Sequence, residues 1–185
     1  NKKVTSIADR AFLEKSITSV VFGQYVESIG NHAFYSCQSL NKLDFSKSSV
    51  KTIGNYAFAS NKVLESVEFP DSLESIGDGA FTTYTNGSYV ENKLKSVKFG
   101  KGLKTIGNSA FYRNQKLTNI VFTGENLTSI GSYAFQDCDS LTELNLKGNG
   151  ETVIDSCAFC GNDALKKISL AGIKTIDNNA FKNCG

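Results

Sequence analysis

The chain has 185 residues, 40% hydrophobic and 21% charged, a composition that can bury a core and excludes an intrinsically disordered segment or a simple coiled coil. Twenty Lys plus Arg against eighteen Asp plus Glu leave a net charge of +2, too balanced for the basic footprint that phosphate-driven nucleic-acid binding needs. No apolar run approaches the ~18 residues of a membrane span, and one histidine, no tryptophan and five cysteines leave little material for familiar site chemistry.

Read from the N-terminus, the first element is an apolar pair three residues apart, Val4 and Ile7, which recurs as Val26/Ile29, Val50/Ile53, Leu73/Ile76, Leu103/Ile106, Leu127/Ile130 and Ile173/Ile176. Before Ile154 the pair is broken by Glu151, which predicts a local irregularity there. Successive isoleucines are 22, 24, 23, 30, 24, 24 and 22 residues apart. A period of about 23 marks a repeat array in which each unit buries a face its neighbour cannot cover alone. Residues 1–185 therefore read as one array of about eight units, the first and last partial.

Glycine follows the isoleucine in five units (Gly30, Gly54, Gly77, Gly107, Gly131), with Ala8, Asp155 or Asp177 in the others, so a turn with unusual backbone angles is expected. Next stand Asp9, Asn31, Asn55, Asp78, Asn108, Ser132, Ser156 and Asn178, all able to satisfy an orphan amide at a helix start, and they read as N-caps. Ala-Phe follows in every unit, from Ala11-Phe12 to Ala180-Phe181, which places Phe in the interior from one short helical turn. Three residues past the Phe come Lys15, Cys37, Asn61, Tyr84, Asn114, Cys138, Asn162 and Cys184. Cys and Asn sharing a column point to an inward position beside turning backbone, where Asn bonds peptide groups and Cys is a small filler with a weak donor.

Each unit ends in apolar-x-x-apolar-x-apolar, from Ile17, Val20 and Phe22 to Leu165, Ile168 and Leu170, the alternation of a half-buried strand. Copies of this main strand are expected to lie parallel as one sheet along the array. The fourth unit is the long one: Phe81 and Leu94 are thirteen apart where Phe34 and Leu40 are six. Its insertion, within Thr82 to Asn92, carries Tyr84 and Tyr89 around Asn86-Gly87, a turn signal flanked by two rings suited to an interface.

The pattern L-x-x-I-x-F followed by L-x-x-I-G-N-x-A-F-x-x-C resembles the BspA-like leucine-rich repeats of bacterial surface proteins, found also in some parasitic protists, and the likeness covers essentially the whole chain. It implies a right-handed, β-rich β/α superhelix with a parallel sheet along one face and short helical turns at Ala-Phe. It also implies a non-enzymatic module, extracellular or at the cell surface, that adheres to host or matrix proteins or to other surface proteins. Neither end carries an evident polar capping unit, so a segment of a longer protein is expected.

By that analogy the polar positions of the main strands line the recognition face. Candidate binding residues are Asn41, Asp44, Glu65, Glu68, Lys95, Lys98, Thr118 and Asn119, with Tyr84, Asn86 and Tyr89 of the insertion. The plainer account is a solubilised sheet in which Glu65 sits beside Lys95 and Glu68 beside Lys98. Cys157 and Cys160 form C-x-x-C, but no second pair and no nearby histidine complete a zinc site. A local disulfide stays open, although two thiols in variable, partly exposed columns are the expected state. His32 falls in an outward slot, and Gly100-Lys101-Gly102 and Gly148-Asn149-Gly150 read as turns rather than phosphate loops, so no cofactor is expected. Nucleophile, base and orienting group coincide in no column, which argues against catalysis.

Overall fold

The computed structural model describes residues 3–85, 87–89 and 91–185. In chain order its strands are β1 (Ser6–Ile7), β2 (Ser19–Val21), β3 (Ser28–Ile29), β4 (Lys42–Asp44), β5 (Thr52–Ile53), β6 (Ser66–Glu68), β7 (Ser75–Ile76) and β8 (Tyr84–Thr85). They continue as β9 (Ser88–Tyr89), β10 (Ser96–Phe99), β11 (Thr105–Ile106), β12 (Asn119–Phe122), β13 (Ser129–Ile130), β14 (Glu143–Ile154) and β15 (Lys167–Ile176). Apart from the antiparallel β8–β9 hairpin every pairing is parallel, and the chain is a parallel β-solenoid with one repeat per coil.

The sheet that runs the length of the array is not the one expected. It is built from the two-residue Ser/Thr-Ile strands, in the order β1-β3-β5-β7-β11-β13-β14-β15, with each isoleucine in register with that of the next coil, as Ile7 with Ile29 and Ile130 with Ile154. The longer main strands form three shorter ladders instead: β2-β4, β6-β10-β12, and the first halves of β14 and β15. Two seams result, between β4 and β6 and between β12 and β14. Both follow a coil with an extra residue after its main strand, since Phe45 to Val50 and Phe122 to Leu127 span five positions where Phe22 to Val26 spans four.

The interior is a stack of rings. All eight phenylalanines of the Ala-Phe elements form one continuous column from Phe12 to Phe181, with neighbouring centroids 5.0–5.2 Å apart and planes within 17° of parallel. That spacing is the rise of one coil, set by the ~4.8 Å separation of hydrogen-bonded strands. Phe22, Phe45, Phe69, Phe99 and Phe122 make a second column at 4.4–5.7 Å, which meets the first edge-on, as at Phe99 and Phe111, 5.8 Å apart. Aliphatic Leu146 and Leu170 continue this second column where the rings stop.

The Ala-Phe segments are not helical. Among the described residues there is no helix, and the segments are paired turns with left-handed backbone at Arg10 and Glu14 of the first coil, His32 and Ser36 of the second, and the corresponding residues onward. Among the described residues thirteen non-glycine positions have positive φ, a conformation that costs on the order of 1–3 kcal/mol each. It is maintained because it aims alternate amides along the array. Arg10, Phe12 and Glu14 donate to the carbonyls of Asn31, Ala33 and Tyr35 at 2.7–2.9 Å, while Ala11, Leu13 and Lys15 bond back three residues. A one-turn helix would instead leave its first four amides unpaired.

For the same reason the residues expected to be N-caps do a different job. Their oxygens accept from the backbone of the next coil: Asn31 N to Asp9 Oδ1 at 2.7 Å, Asn55 N to Asn31 Oδ1 at 2.7 Å, and so on to Ser132 N at Asn108 Oδ1, 2.9 Å. The glycines that precede them are required by this contact, not by their own φ. A Cβ on Gly131 would lie 2.7 Å from Asn108 Oδ1 and 2.8 Å from Asn108 N. Where Ser132 and Ser156 shorten the ladder side chain, the next coil carries Asp155 and Asp177 in place of glycine.

The Asn/Cys column behaves as expected. The amides of Asn61, Asn114 and Asn162 each bridge the phenylalanine carbonyls of their own and the preceding coil, Asn61 Nδ2 to Phe34 and Phe58 at 3.0 and 2.9 Å. The thiols of Cys37, Cys138 and Cys184 reach the preceding carbonyl alone, at 3.0–3.5 Å. Tyr84 leaves the column for the hairpin, and buried Asn92 bonds Asn114 in its stead. At the predicted irregularity, Gly148-Asn149-Gly150 is no turn between strands but a register shift inside β14, and Thr152, fully buried, replaces Glu151 in the interior.

Candidate functional site

The main strands alternate as their sequences dictate. Leu43, Val67, Val97, Ile120 and Leu144 point inward, while Asn41, Glu65, Glu68, Lys95, Lys98, Thr118 and Asn119 are exposed and Asp44 is half-buried. The charged members are paired with one another: Lys95 Nζ lies 3.2 Å from Glu65 Oε2, and Lys98 bonds Glu68. These belong to nine ion pairs among the described residues, each joining adjacent coils. Most have side chains about half exposed, so each contributes under ~1 kcal/mol. On the main-strand face the consequence is electrostatic: Glu65 and Lys95, Glu68 and Lys98, and Glu143 and Lys167 neutralise one another in rows.

Both seams open into grooves. The first, of about 910 Å³, brings together Asp44, Glu68 and Lys98 with Lys42, Ser48 and Lys101, over a floor of Phe45 and Phe69. Asp44 Oδ1 accepts from Ser46 N at 2.9 Å. The Ser46 hydroxyl and amide, assisted by Lys42 and Lys47, hold its carboxyl below the usual range. The second groove, about 590 Å³, gathers Thr118 and Asn119 with Val121, Glu143, Asn145 and Lys147. Asn41 lies in neither groove, nor do Glu65 and Lys95. The grooves themselves were missed by sequence reasoning; the five-residue spacings after Phe45 and Phe122 were the available signal.

The insertion folds as the hairpin that Asn86-Gly87 suggests, with Tyr84 opposite Tyr89 and Gly87 at φ +76°; Asn86 lies outside the described residues. It is tied to the fifth coil through Thr83 Oγ1, which donates to the Arg113 carbonyl at 2.9 Å, and through the Lys116–Glu91 pair. His32 stands on a left-handed turn rather than a helical one and stacks on Tyr56 with centroids 5.2 Å apart. The expectation of two free thiols is overturned: Cys157 and Cys160 are joined as a disulfide across a single turn, Cα atoms 4.7 Å apart. Spacing alone cannot show this, because it does not specify the left-handed backbone at Cys157 on which the turn is built.

Carboxylates cluster at the C-terminal coils without forming a metal cage; among the described residues no group of three or more potential ligands converges. Asp155 sits on the column that holds glycine in the five preceding coils, and burial, then repulsion from Asp177, raises its pKa. A raised carboxyl pKa penalises the native state above that pKa and releases the penalty as pH falls below the unfolded value. Asp155→Asn should therefore raise the urea midpoint at neutral pH, and the gain should vanish on acidification into the carboxylate range. A constant gain at all pH values would point to packing instead.

No helix among the described residues is long and apolar enough to cross a membrane. The chain matches the model of the BspA type leucine rich repeat region in six copies, over residues 5–91 and 87–185. No curated protein sequence matches it. Its fold is similar to that of a leucine-rich repeat protein from Eubacterium ventriosum, with TM-score 0.67 and 17% identity over 97% of this chain and 62% of that one. It is also similar to the leucine-rich repeat protein of T. pallidum, with TM-score 0.63 and 23% identity over 94% and 67%. A pneumococcal vaccine antigen, PcpA, matches with TM-score 0.44 and 21% identity over 98% and 60%. The chain thus spans about three fifths to two thirds of these proteins. With matches along both halves and the ring-stacked coil geometry that the motif demands, the chain belongs to the BspA-type leucine-rich repeat family.

Proposed function

We propose that this chain is a non-enzymatic protein-binding module of a cell-surface or secreted bacterial protein, and that its main-strand face engages a host, matrix or other surface protein. The reading is carried by the groove at the β4/β6 seam, which gathers three of the proposed binding residues, Asp44, Glu68 and Lys98. Because the charges there alternate in sign, the partner is selected by hydrogen bonding and shape more than by net charge. The hairpin Tyr84–Tyr89 supplies a second contact edge.

The test is capture of matrix and serum proteins by the chain, followed by single substitutions. Asp44→Ala, Glu68→Ala or Lys98→Ala should each weaken a captured interaction by roughly 5–10-fold, the effect of an interface residue worth about 1 kcal/mol or slightly more. Deleting the hairpin should produce a loss of its own. If binding by the intact parent protein survives all of these changes, the array is a spacer that holds another domain of the parent protein away from its anchor.

A further inference from the structure

We propose that Cys157 and Cys160 form a reversible thiol–disulfide exchange site on the surface of the seventh coil, reacting with small-molecule or protein thiols through Cys157. The two sulfurs are unequally placed: Cys157 is half-buried on the left-handed turn, whereas Cys160 is only 6% exposed. An incoming thiolate therefore reaches Cys157 first.

The fold is prepared for both redox states. Cys160 Sγ lies 2.9 Å from the carbonyl oxygen of Asn179 in the following coil. In the disulfide this is a contact without a proton; once the bond is cleaved, the Cys160 thiol donates there without moving. Nor does the turn depend on the crosslink. Cys160 N donates to Cys157 O at 3.1 Å, and Phe159 N to Ala180 O at 2.8 Å. The equivalent turn one coil earlier is closed by Gln136 N to Tyr133 O, 3.2 Å, with no cysteine at all.

The step balances with a thiol RSH as co-reactant. The thiolate RS⁻ bonds to Cys157 Sγ and the intramolecular S–S bond breaks, expelling Cys160 as a thiolate that takes a proton from water. A second RS⁻ then attacks the outer sulfur of the mixed disulfide, releasing RSSR and a Cys157 thiolate that is protonated in turn. Two thiols are oxidised and the protein disulfide is reduced. The remaining cysteines do not compete on equal terms: Cys37 and Cys138 are buried, and Cys37, Cys138 and Cys184 each donate to a phenylalanine carbonyl.

The experiment treats the folded 185-residue protein with glutathione, traps free thiols with iodoacetamide and maps adducts by mass spectrometry. The expected adduct is on Cys157, in preference to Cys160 by about ten-fold or more. Complete reduction with dithiothreitol should leave the far-ultraviolet circular dichroism unchanged and lower Tm by roughly 4–8 °C, as for loss of a short-loop crosslink in a chain of this size. With oxidised glutathione as the co-reactant, Cys160→Ser should form the Cys157 mixed disulfide with release of one glutathione thiol, and Cys157→Ser should form none at this turn. An adduct on Cys160, or reduction only in denaturant with loss of the β signal, would overturn the proposal; the wild-type mapping decides even if a variant fails to fold.

Discussion

Phe111→Ala should destabilise the protein by about 3–5 kcal/mol, the usual range for emptying a fully buried phenylalanine site. Phe111 is 0% exposed, stacks on Phe81 and Phe135 at 5.1 and 5.0 Å, and meets Phe99 edge-on. Its removal leaves a cavity that the flanking rings cannot fill, because the coil rise fixes their positions. Phe12→Ala is the control: that ring is 38% exposed and has a single stacked neighbour from the main column, Phe34, so its loss should cost roughly 1 kcal/mol. Urea unfolding followed by circular dichroism measures both. In an array whose units contact only their neighbours, the central substitution should also broaden the transition, since the coils on either side lose their coupling. Equal costs at the two positions would sink the description of the column as one continuous spine.

Gly131→Asp should cost about 2–3 kcal/mol through overpacking, and Asn108→Ser about 1 kcal/mol through loss of the bond to Ser132 N. Together they should cost less than their sum by at least ~1 kcal/mol, because the double variant recreates the arrangement of Ser132 with Asp155 one coil further on. The match is imperfect, and that is informative. Where serine and aspartate meet naturally, the neighbouring rung Tyr133 N to Ser156 O is 3.3 Å, against 2.8–2.9 Å at the rungs from Arg10 to Ser109. The coil spacing opens slightly to admit the aspartate, so recovery should be partial. Strictly additive costs in a double-mutant cycle would mean that the ladder side chain is not what excludes a Cβ at Gly131.

These two cases also mark where sequence reasoning succeeds. The phenylalanine column was legible because a fixed offset from isoleucine, repeated eight times, admits few explanations other than an interior stack. The Asn61, Asn114 and Asn162 bridges were legible for a related reason: a polar residue sharing a column with cysteine must be inward and must find a partner. The polar face of the main strands follows from simple alternation, and the hairpin from Asn86-Gly87. The seams left a trace only in the five-residue spacings after Phe45 and Phe122; the disulfide and the ladder roles of Asp9 and Asn31 were not legible, since each depends on the distance between atoms 20 or more residues apart or on a local φ that composition does not specify.

By itself, then, the amino-acid order determined the period, the identity of the inward columns and the solvent-facing side of each main strand, because all three follow from which side chains can leave water. Only the tertiary structure decided how the backbone is satisfied. Once coils lie ~4.8 Å apart, alternate turn amides have a carbonyl waiting in the next coil. That long-range partner outcompetes a local helical turn, converts apparent caps into rungs, and forces left-handed backbone on residues as unlike as Arg10, Tyr56 and Cys157. The same rise makes the short isoleucine strands continuous, while the extra residues after Phe45 and Phe122 divide the main strands, so the grooves beside Asp44 and Asn119 exist only in the assembled stack.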